Sequence, residues 1–278
     1  MTSSDDRAAL ADLAASLRAY LEWHGDVGGF GFPRRPKGEA TAAPKATAAT
    51  VAPSPNETRN EKPNQAATTS DLTVAHAAAP APAQRRPLEV IQAEVASCQK
   101  CGLGATRTNA VFARGNPEAK LCFVGEAPGA DEDAEGLPFV GRAGQLLDKM
   151  IGAMGLSPER DVYVCNIIKC RPPGNRRPTP DETETCIPYL HEQLDMVAPK
   201  VIVALGNTAA GTLLGTTLGI TKLRGQWKLY KGTTLVMPTY HPSYLLRPSA
   251  NQAESKREAW EDLQSVMKEL GLALPKKG

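Results

Sequence analysis

The chain has 278 residues, of which 41% are hydrophobic, and its formal net charge at pH 7 is only +2. This length and apolar content suffice for one large or two small domains, whereas the small net charge excludes recruitment of nucleic acid by overall basicity. No apolar run approaches the ~20 residues of a membrane helix, and the N-terminus lacks the basic-then-apolar pattern of a secretory signal, so we expect a cytoplasmic protein that does not enter a membrane.

The first 86 residues are predicted to precede the folded domain. Residues 1–33 contain a short helical segment in which Leu10, Leu13 and Leu17 fall near one face. We interpret it as a partly ordered tail, with docking of this helix on a protein partner as the alternative. Residues 34–86 have no aromatic side chain and are rich in Ala, Pro and Thr, which is typical of a disordered linker.

Residues 87–278 alternate short apolar runs with amphipathic stretches, which predicts an α/β domain. The expected strands are continuous and rich in β-branched residues, as buried parallel strands are. They are 121–125, 162–165, 201–205 and 234–238. The expected helices are 88–96, 143–154, 180–198 and 251–270. This order favours a three-layer α/β/α sandwich with a central, mainly parallel four-stranded sheet, and places the ligand at the carboxyl ends of the strands.

Six cysteines in a reducing compartment point to metal binding or packing rather than to disulfides. Cys122 and Cys165 fall inside predicted strands and are interpreted as small core residues. The other four are outside the strands, namely Cys98, Cys101, Cys170 and Cys186. One CxxC pair plus two separated cysteines fits an iron–sulfur cluster somewhat better than a structural zinc ion, although the spacing leaves both open.

Basic side chains crowd the sequence around these cysteines and predict a phosphate-binding patch. They are Lys100, Lys169, Arg171, Arg176 and Arg177.

The glycine-rich loop after the first predicted strand carries carboxylates instead of cations. No Lys or Arg occurs between Leu121 and Gly141, while Glu126 and Glu132 stand among its glycines. A loop that binds a nucleoside triphosphate would need the P-loop lysine, so a phosphoryl transferase is disfavoured.

Four motifs with the cysteine frame resemble the family 4 uracil-DNA glycosylases over about residues 87–270. They are GEAPGADED (125–133), GLPFVGRAG (136–144), NIIKCRPPGNR (166–176) and HPSYLLR (241–247). The resemblance implies a 4Fe-4S cluster held by Cys98, Cys101, Cys170 and Cys186. It also implies uracil-binding positions at Gly125, Ala127, Glu132, Phe139 and Asn166. Its catalytic positions are Glu126, His241 and Asn175, and its DNA-binding positions are Arg171, Arg176, Ser243, Leu246 and Arg247.

The implied roles agree with the chemistry of releasing uracil from an extruded nucleotide. The amide of Asn166 can pair with uracil O4 and N3–H, and cytosine presents the opposite pattern. Phe139 would stack on the base, and a neutral His241 would donate to O2 as negative charge develops there. Glu126 would lie beside the base and the water, Glu132 would disfavour the methyl group of thymine, and Leu246 would fill the gap in the duplex.

We therefore expect a monomeric DNA repair hydrolase that removes uracil from single- and double-stranded DNA and leaves an abasic site. RPPGNRRP (171–178) contains no histidine, which distinguishes it from a sibling class that becomes covalently attached to DNA and predicts turnover. The alternative from a different class is a non-enzymatic iron–sulfur protein that binds single-stranded nucleic acid.

Overall fold

A six-stranded sheet with helices on both faces makes up residues 86–274, the part of the chain that the computed structural model describes. The predicted N-terminal helical segment and all but the last residue of the predicted linker lie outside these residues. The strands are β1 (Ala113–Gly115), β2 (Leu121–Gly125), β3 (Val162–Asn166), β4 (Val201–Leu205), β5 (Lys228–Tyr230) and β6 (Thr234–Thr239). The α-helices are α1 (Leu88–Ser97), α2 (Ala130–Glu135), α3 (Arg142–Ala153), α4 (Pro180–Val197), α5 (Gly206–Leu214), α6 (Ile220–Leu223), α7 (Pro242–Leu245) and α8 (Gln252–Leu270).

The strand order is β1-β3-β2-β4-β6-β5. The four inner strands are parallel, and each corresponds to a predicted strand to within one residue. The predicted α/β sandwich is therefore confirmed. The sheet is larger than the expected four strands because β1 and β5 pair antiparallel at its two edges. Each of these is three residues long, too short to produce a recognisable hydrophobic pattern.

Alternate residues of the inner strands face two separate apolar layers, because successive side chains of a strand point to opposite faces of the sheet. Phe123 and Val203 belong to the layer beneath α3 and α8. Cys122 and Ile202 belong to the layer beneath α4 and α5. Cys165 also lies in this second layer and is fully buried, so the prediction that Cys122 and Cys165 are core residues is confirmed.

Helix α4 begins at a capping box, and α1 packs against it. Thr179 accepts a hydrogen bond from the backbone N–H of Glu182, and the Glu182 carboxylate accepts one from the backbone N–H of Thr179. Ile91 and Val95 of α1 bury their side chains against Tyr189 of α4. This contact brings the end of α1, where Cys98 and Cys101 follow, close to the middle of α4.

The topology opens a crevice at the carboxyl ends of β2 and β4. Strand β2 pairs with β3 on one side and with β4 on the other, so the chain segments that leave β2 and β4 diverge. Glu126 directly follows β2 and Gly206 directly follows β4. Among residues 86–274, no helix combines the length and the apolar character needed to span a membrane.

Candidate active site

A cavity of about 1030 Å³ occupies this crevice and receives residues from all four predicted motifs. The predicted site residues that line it are Glu126, Ala127, Glu132, Phe139, Asn166, Asn175, Arg176, His241, Ser243, Leu246 and Arg247. Gly125 and Arg171 do not line it. A Cβ atom at Gly125 would lie 2.4 Å from Asn166 Oδ1 and 2.5 Å from Phe139 Cζ, so glycine is needed there for close approach.

Asn166 presents a buried and unsatisfied acceptor. It ends β3 beside Gly125 and is only 2% exposed. Within the described structure its Oδ1 atom has no hydrogen-bond partner. Leaving such an acceptor unpaired costs about 1–3 kcal/mol, which a ligand with an N–H group at this point would recover.

Phe139 is held against the pocket by a tight backbone turn. Its φ of 57° lies in the left-handed region, which is uncommon for a bulky residue. The turn packs on Gly144, where a Cβ atom would lie 1.8 Å from the Phe139 carbonyl oxygen. The ring stacks on the imidazole of His241, with centroids 5.7 Å apart and planes inclined by 28°.

His241 is fixed in one tautomer by the turn that follows it. Its Nδ1 atom accepts a hydrogen bond from the backbone N–H of Ser243 at 3.1 Å and lies 2.9 Å from Ser243 Oγ. Because a backbone N–H can only donate, the proton of the neutral ring must be on Nε2. Burial, aided by the charge of Arg247, lowers the pKa of His241 to about 4. The imidazole is therefore neutral at physiological pH.

Glu126 is oriented by a residue that sequence reasoning missed. Thr208, in the first turn of α5, donates from its hydroxyl to Glu126 Oε2. The contact crosses the crevice, since Glu126 follows β2 and Thr208 follows β4. Its only sequence signal is a hydroxyl residue just after a strand whose carboxyl end borders the predicted site.

Glu132 lines the cavity, but its carboxylate serves the surrounding loop. Oε2 accepts from the backbone N–H of Gly129 at 3.0 Å, and Oε1 accepts from those of Val140 and Gly141, each at 3.0 Å. The resemblance implies a role against the thymine methyl group. In the structure both oxygens hold the two loops that build one wall of the pocket.

Asn175 also lines the cavity, and its side chain is hydrogen-bonded. Its Oδ1 atom accepts a hydrogen bond from Arg171 Nε at 2.7 Å. This contact leaves the NH₂ group as the remaining polar group of the Asn175 side chain. Arg171, although predicted to contact DNA, does not line the cavity.

The predicted basic patch is divided in the structure. Arg176 lines the cavity and forms a bidentate ion pair with Glu182, at 2.8 and 2.6 Å. Lys100 pairs with Glu94 at 2.9 Å, away from this cavity. Including Lys169 in the patch was wrong, because it is 1% exposed. Two members of the predicted patch, Arg176 and Arg177, line the cavity together with Arg142 and Arg247.

The four predicted metal ligands line a second, smaller cavity between α1, the segment after β3, and α4. They are Cys98, Cys101, Cys170 and Cys186, and all four thiols are free. The other lining groups include Lys100, Arg107 and Lys169 but no carboxylate. Within residues 86–274, no group of three or more His, Cys, Asp or Glu side chains is arranged to hold a metal ion.

Two of these sulfur atoms accept hydrogen bonds from the protein. Arg107 Nη1 donates to Cys170 Sγ at 3.0 Å, and the backbone N–H of Lys169 donates to Cys186 Sγ at 3.4 Å. Burial lowers the pKa of Lys169, and the neighbouring cysteines oppose this shift. The surroundings of the four thiols are thus rich in donors and positive charge, which suits an anionic occupant.

Comparison with known proteins places these features in a family. The family model described as the uracil DNA glycosylase superfamily matches residues 112–264. A type-4 uracil-DNA glycosylase of Thermotoga maritima is 46% identical over 180 residues, 64% of this chain and 92% of that protein. The type-4 enzyme of Sulfurisphaera tokodaii is 49% identical over 57% of this chain and 76% of its own length. That of Archaeoglobus fulgidus is 45% identical over 59% and 86%, respectively.

Proposed function

The chain belongs to the uracil DNA glycosylase superfamily, and we propose that its 1030 Å³ cavity is where the N-glycosidic bond of deoxyuridine in DNA is hydrolysed. The protein is a DNA repair glycosylase that releases free uracil and leaves an abasic site. The observation that carries the assignment of the site is the buried, unpartnered Oδ1 of Asn166, with Phe139, His241 and Glu126 around the same cavity.

Base binding is assigned to Asn166 and Phe139, and base selection to Asn166. The unpaired Oδ1 of Asn166 would accept from uracil N3–H while the NH₂ group donates to O4. Cytosine offers an acceptor at N3 and a donor at the 4-position, so it would place like groups against each other. A site that leaves a buried polar group unpaired rejects the wrong ligand strongly. Stacking of the base on Phe139 contributes about 1–3 kcal/mol without distinguishing among bases.

Charge stabilisation is assigned to His241 and Glu126. Departure of uracil places negative charge on O2, where the Nε2–H of a neutral imidazole can donate a hydrogen bond. The sugar becomes cationic, which favours a nearby carboxylate. Thr208 occupies Glu126 Oε2 and so leaves Oε1 to face a cationic sugar or to position the attacking water. Asn175 can assist in placing the water through its NH₂ group.

The rim is assigned to DNA binding. Ser243, Leu246 and Arg247 follow His241 in the chain and line the cavity, as does Arg176. Leucine next to arginine suits insertion into the base stack with a contact to the backbone. Arg171 would act indirectly, by holding Asn175.

A 4Fe-4S cluster is the occupant proposed for the second cavity, with Cys98, Cys101, Cys170 and Cys186 as its ligands. Four thiols without carboxylates fit iron–sulfur ligation. Structural zinc sites usually pair their cysteines as two CxxC units, whereas one CxxC pair with two separated cysteines suits the larger body of a cluster. The cluster would act as a structural tie between α1, the segment after Asn166, and α4.

The test is cleavage of an oligonucleotide that contains one deoxyuridine, with iron and acid-labile sulfide measured on the same sample. We expect release of uracil by the wild type and strong loss of activity in Asn166→Ala and His241→Ala. Retained DNA binding without any uracil release would instead support the non-enzymatic single-strand-binding alternative. Cleavage that survives unchanged in both variants would contradict the assignment of this cavity.

A further inference from the structure

Lys169 is a buried lysine without an acidic partner. It is 1% exposed, although lysine is almost never fully buried unless it is paired. Its Nζ atom donates to the main-chain oxygen of Asn166 at 2.7 Å, and the ring of Phe112 lies 6.0 Å away. No carboxylate within residues 86–274 pairs with it. Burial of an unpaired ammonium is expensive unless a nearby anion offsets it.

The available anion is the group held by the four cysteines. Lys169 lines the same cavity as the four thiols. Four cysteine thiolates around an iron–sulfur cluster leave a net negative charge. The ammonium of Lys169 is placed to balance it, as is the guanidinium of Arg107, which contacts Cys170.

Lys169 is also attached at its main chain. Its backbone N–H donates to Cys186 Sγ at 3.4 Å, and its carbonyl oxygen accepts from the backbone N–H of Val111 at 2.8 Å. Its side chain then folds back to the carbonyl of Asn166, three residues earlier. Lys169 thus contacts both Cys186, a proposed ligand of the four-cysteine site, and the main chain of Asn166, whose side-chain Oδ1 is unpaired in the base pocket.

We propose that Lys169 is a positioning residue that couples the four-cysteine site to uracil selection. It supplies the counter-charge of the cluster and, through its hydrogen bond to the Asn166 carbonyl, fixes the orientation of the Asn166 side chain. This inference rests on the proposed function. A wild-type protein without iron and sulfide would remove that foundation before any variant is compared.

The experiment compares three variants of the full chain. Lys169→Met removes the charge and the hydrogen-bond donor at similar side-chain length, whereas Lys169→Arg keeps the charge. Lys228→Met is the matched control. This lysine stands on edge strand β5, and its ammonium donates to Gln226. Iron and sulfide content, the cluster's reduction potential, and affinity for free uracil are measured for each. A variant that is merely less stable should not change both the reduction potential of the cluster and the affinity for uracil. A joint change in these two readouts therefore indicates coupling.

In Lys169→Met with its cluster retained, we expect a more negative potential and at least tenfold weaker uracil binding. Lys169→Arg should keep its cluster and a potential close to that of the wild type, and Lys228→Met should match the wild type throughout. If Lys169→Met fails to assemble a cluster while Lys169→Arg assembles one, the counter-charge is supported directly.

Three results would overturn the proposal. Equal loss of cluster in Lys169→Met and Lys169→Arg would show that side-chain shape, not charge, is required. An unchanged potential in cluster-loaded Lys169→Met would remove the counter-charge. A shifted potential with unchanged uracil affinity would remove the coupling to Asn166.

Discussion

At the scale of single residues, His241 is a neutral hydrogen-bond donor because its surroundings decide both its charge and its tautomer. Burial keeps the pKa near 4, and the backbone N–H of Ser243 keeps the proton on Nε2. A charged imidazolium would have to be desolvated before uracil could bind. A neutral donor avoids that cost and interacts more strongly as charge develops on the leaving base.

Replacing His241 with alanine should lower kcat by about 10²- to 10³-fold, the usual loss when one donor to a developing anion is removed. The affinity for uracil-containing DNA should change much less, because the interaction strengthens mainly in the transition state. Single-turnover excision and equilibrium DNA binding separate the two effects. Equal losses in rate and affinity would show that the imidazole contributes mainly to ground-state binding.

The same histidine should make stability depend on pH. In the unfolded chain it binds a proton near pH 6.5, whereas in the folded chain it does so near pH 4. The unfolded chain therefore binds this proton more readily than the folded chain. The free energy of unfolding should fall by up to about 3 kcal/mol as the pH drops from 6.5 towards 4. Urea unfolding between pH 4 and 7 should show a shallower dependence for His241→Asn. Parallel curves for the variant and the wild type would contradict the depressed pKa.

Thr208 should matter through its hydroxyl alone. Thr208→Val removes the donor to Glu126 Oε2 while keeping the shape of the side chain, so kcat should fall about 10- to 100-fold, as expected for the loss of one hydrogen bond to a charged group. KM should change little. Thr208→Ser should restore most of the rate, and equal activity of the valine and serine variants would show that the contact does not orient Glu126.

Sequence motifs were sufficient to predict which side chains meet at the cavity when the chemical type of the residue suggested its role. Asn166, Phe139 and His241 were expected at one cavity, and all three lie there. Thr208 was missed because a threonine near a helix N-terminus is ordinary, and only the fold brings it to Glu126. Lys169 was misassigned because a lysine in a basic segment is normally solvated. Its burial depends on the packing of α1 and α4, which local pattern does not reveal.

At the scale of elements, the pocket wall is two loops joined by one carboxylate. Glu132 stands on short helix α2, and its oxygens reach the loop before that helix and the turn that carries Phe139. The turn holds Phe139 at positive φ, which costs on the order of 1 kcal/mol or more and persists only when the surrounding contacts impose it.

Glu132→Gln should therefore destabilise the protein although the change is nearly isosteric. An amide has one oxygen for three N–H groups, and its NH₂ would face donors, so we expect a loss of about 1–3 kcal/mol in the free energy of unfolding. Excision should slow because Phe139 is released. Glu135→Gln, on an exposed position of the same helix, is the control. Denaturant unfolding of both variants measures the difference. If Glu132→Gln were as stable as Glu135→Gln, the three hydrogen bonds would not stabilise the loops.

The outer strands show why sequence reasoning stopped at four strands. Long, wholly apolar runs such as β2 and β4 are recognisable because both faces are buried. Strands β1 and β5 have partly exposed residues and form only where a completed neighbour offers free backbone groups. Their existence is a consequence of the assembled sheet rather than of their own composition.

At the scale of the whole molecule, the four proposed cluster ligands join distant parts of the chain, from Cys98 to Cys186. The tie spans α1, the segment that leads from the base pocket, and α4. A group that binds the folded chain but not the unfolded one adds its binding free energy to stability. Assembly of the cluster and folding of the domain should accordingly be one event.

Cys186→Ala should lose iron, brown colour and folding stability together. Cys122→Ala is the matched control, because this cysteine is buried in the sheet and does not line the second cavity, so its loss should cost only about 1 kcal/mol with full iron content. Visible absorption and thermal unfolding of the two variants provide the comparison. Loss of colour from Cys186→Ala at unchanged stability would show that the cluster does not support the fold.

The two three-residue edge strands also bear on behaviour at high concentration. A long, flat outer strand displays a row of unpaired amides on which another chain can grow a cross-β assembly. Here β1 ends at Gly115, where a φ of 88° turns the chain sharply, and β5 gives way after Tyr230 to a turn that reverses the chain. Neither edge of the sheet offers a strand long enough for a second molecule to pair with. These edges should therefore resist fibril growth even at high protein concentration.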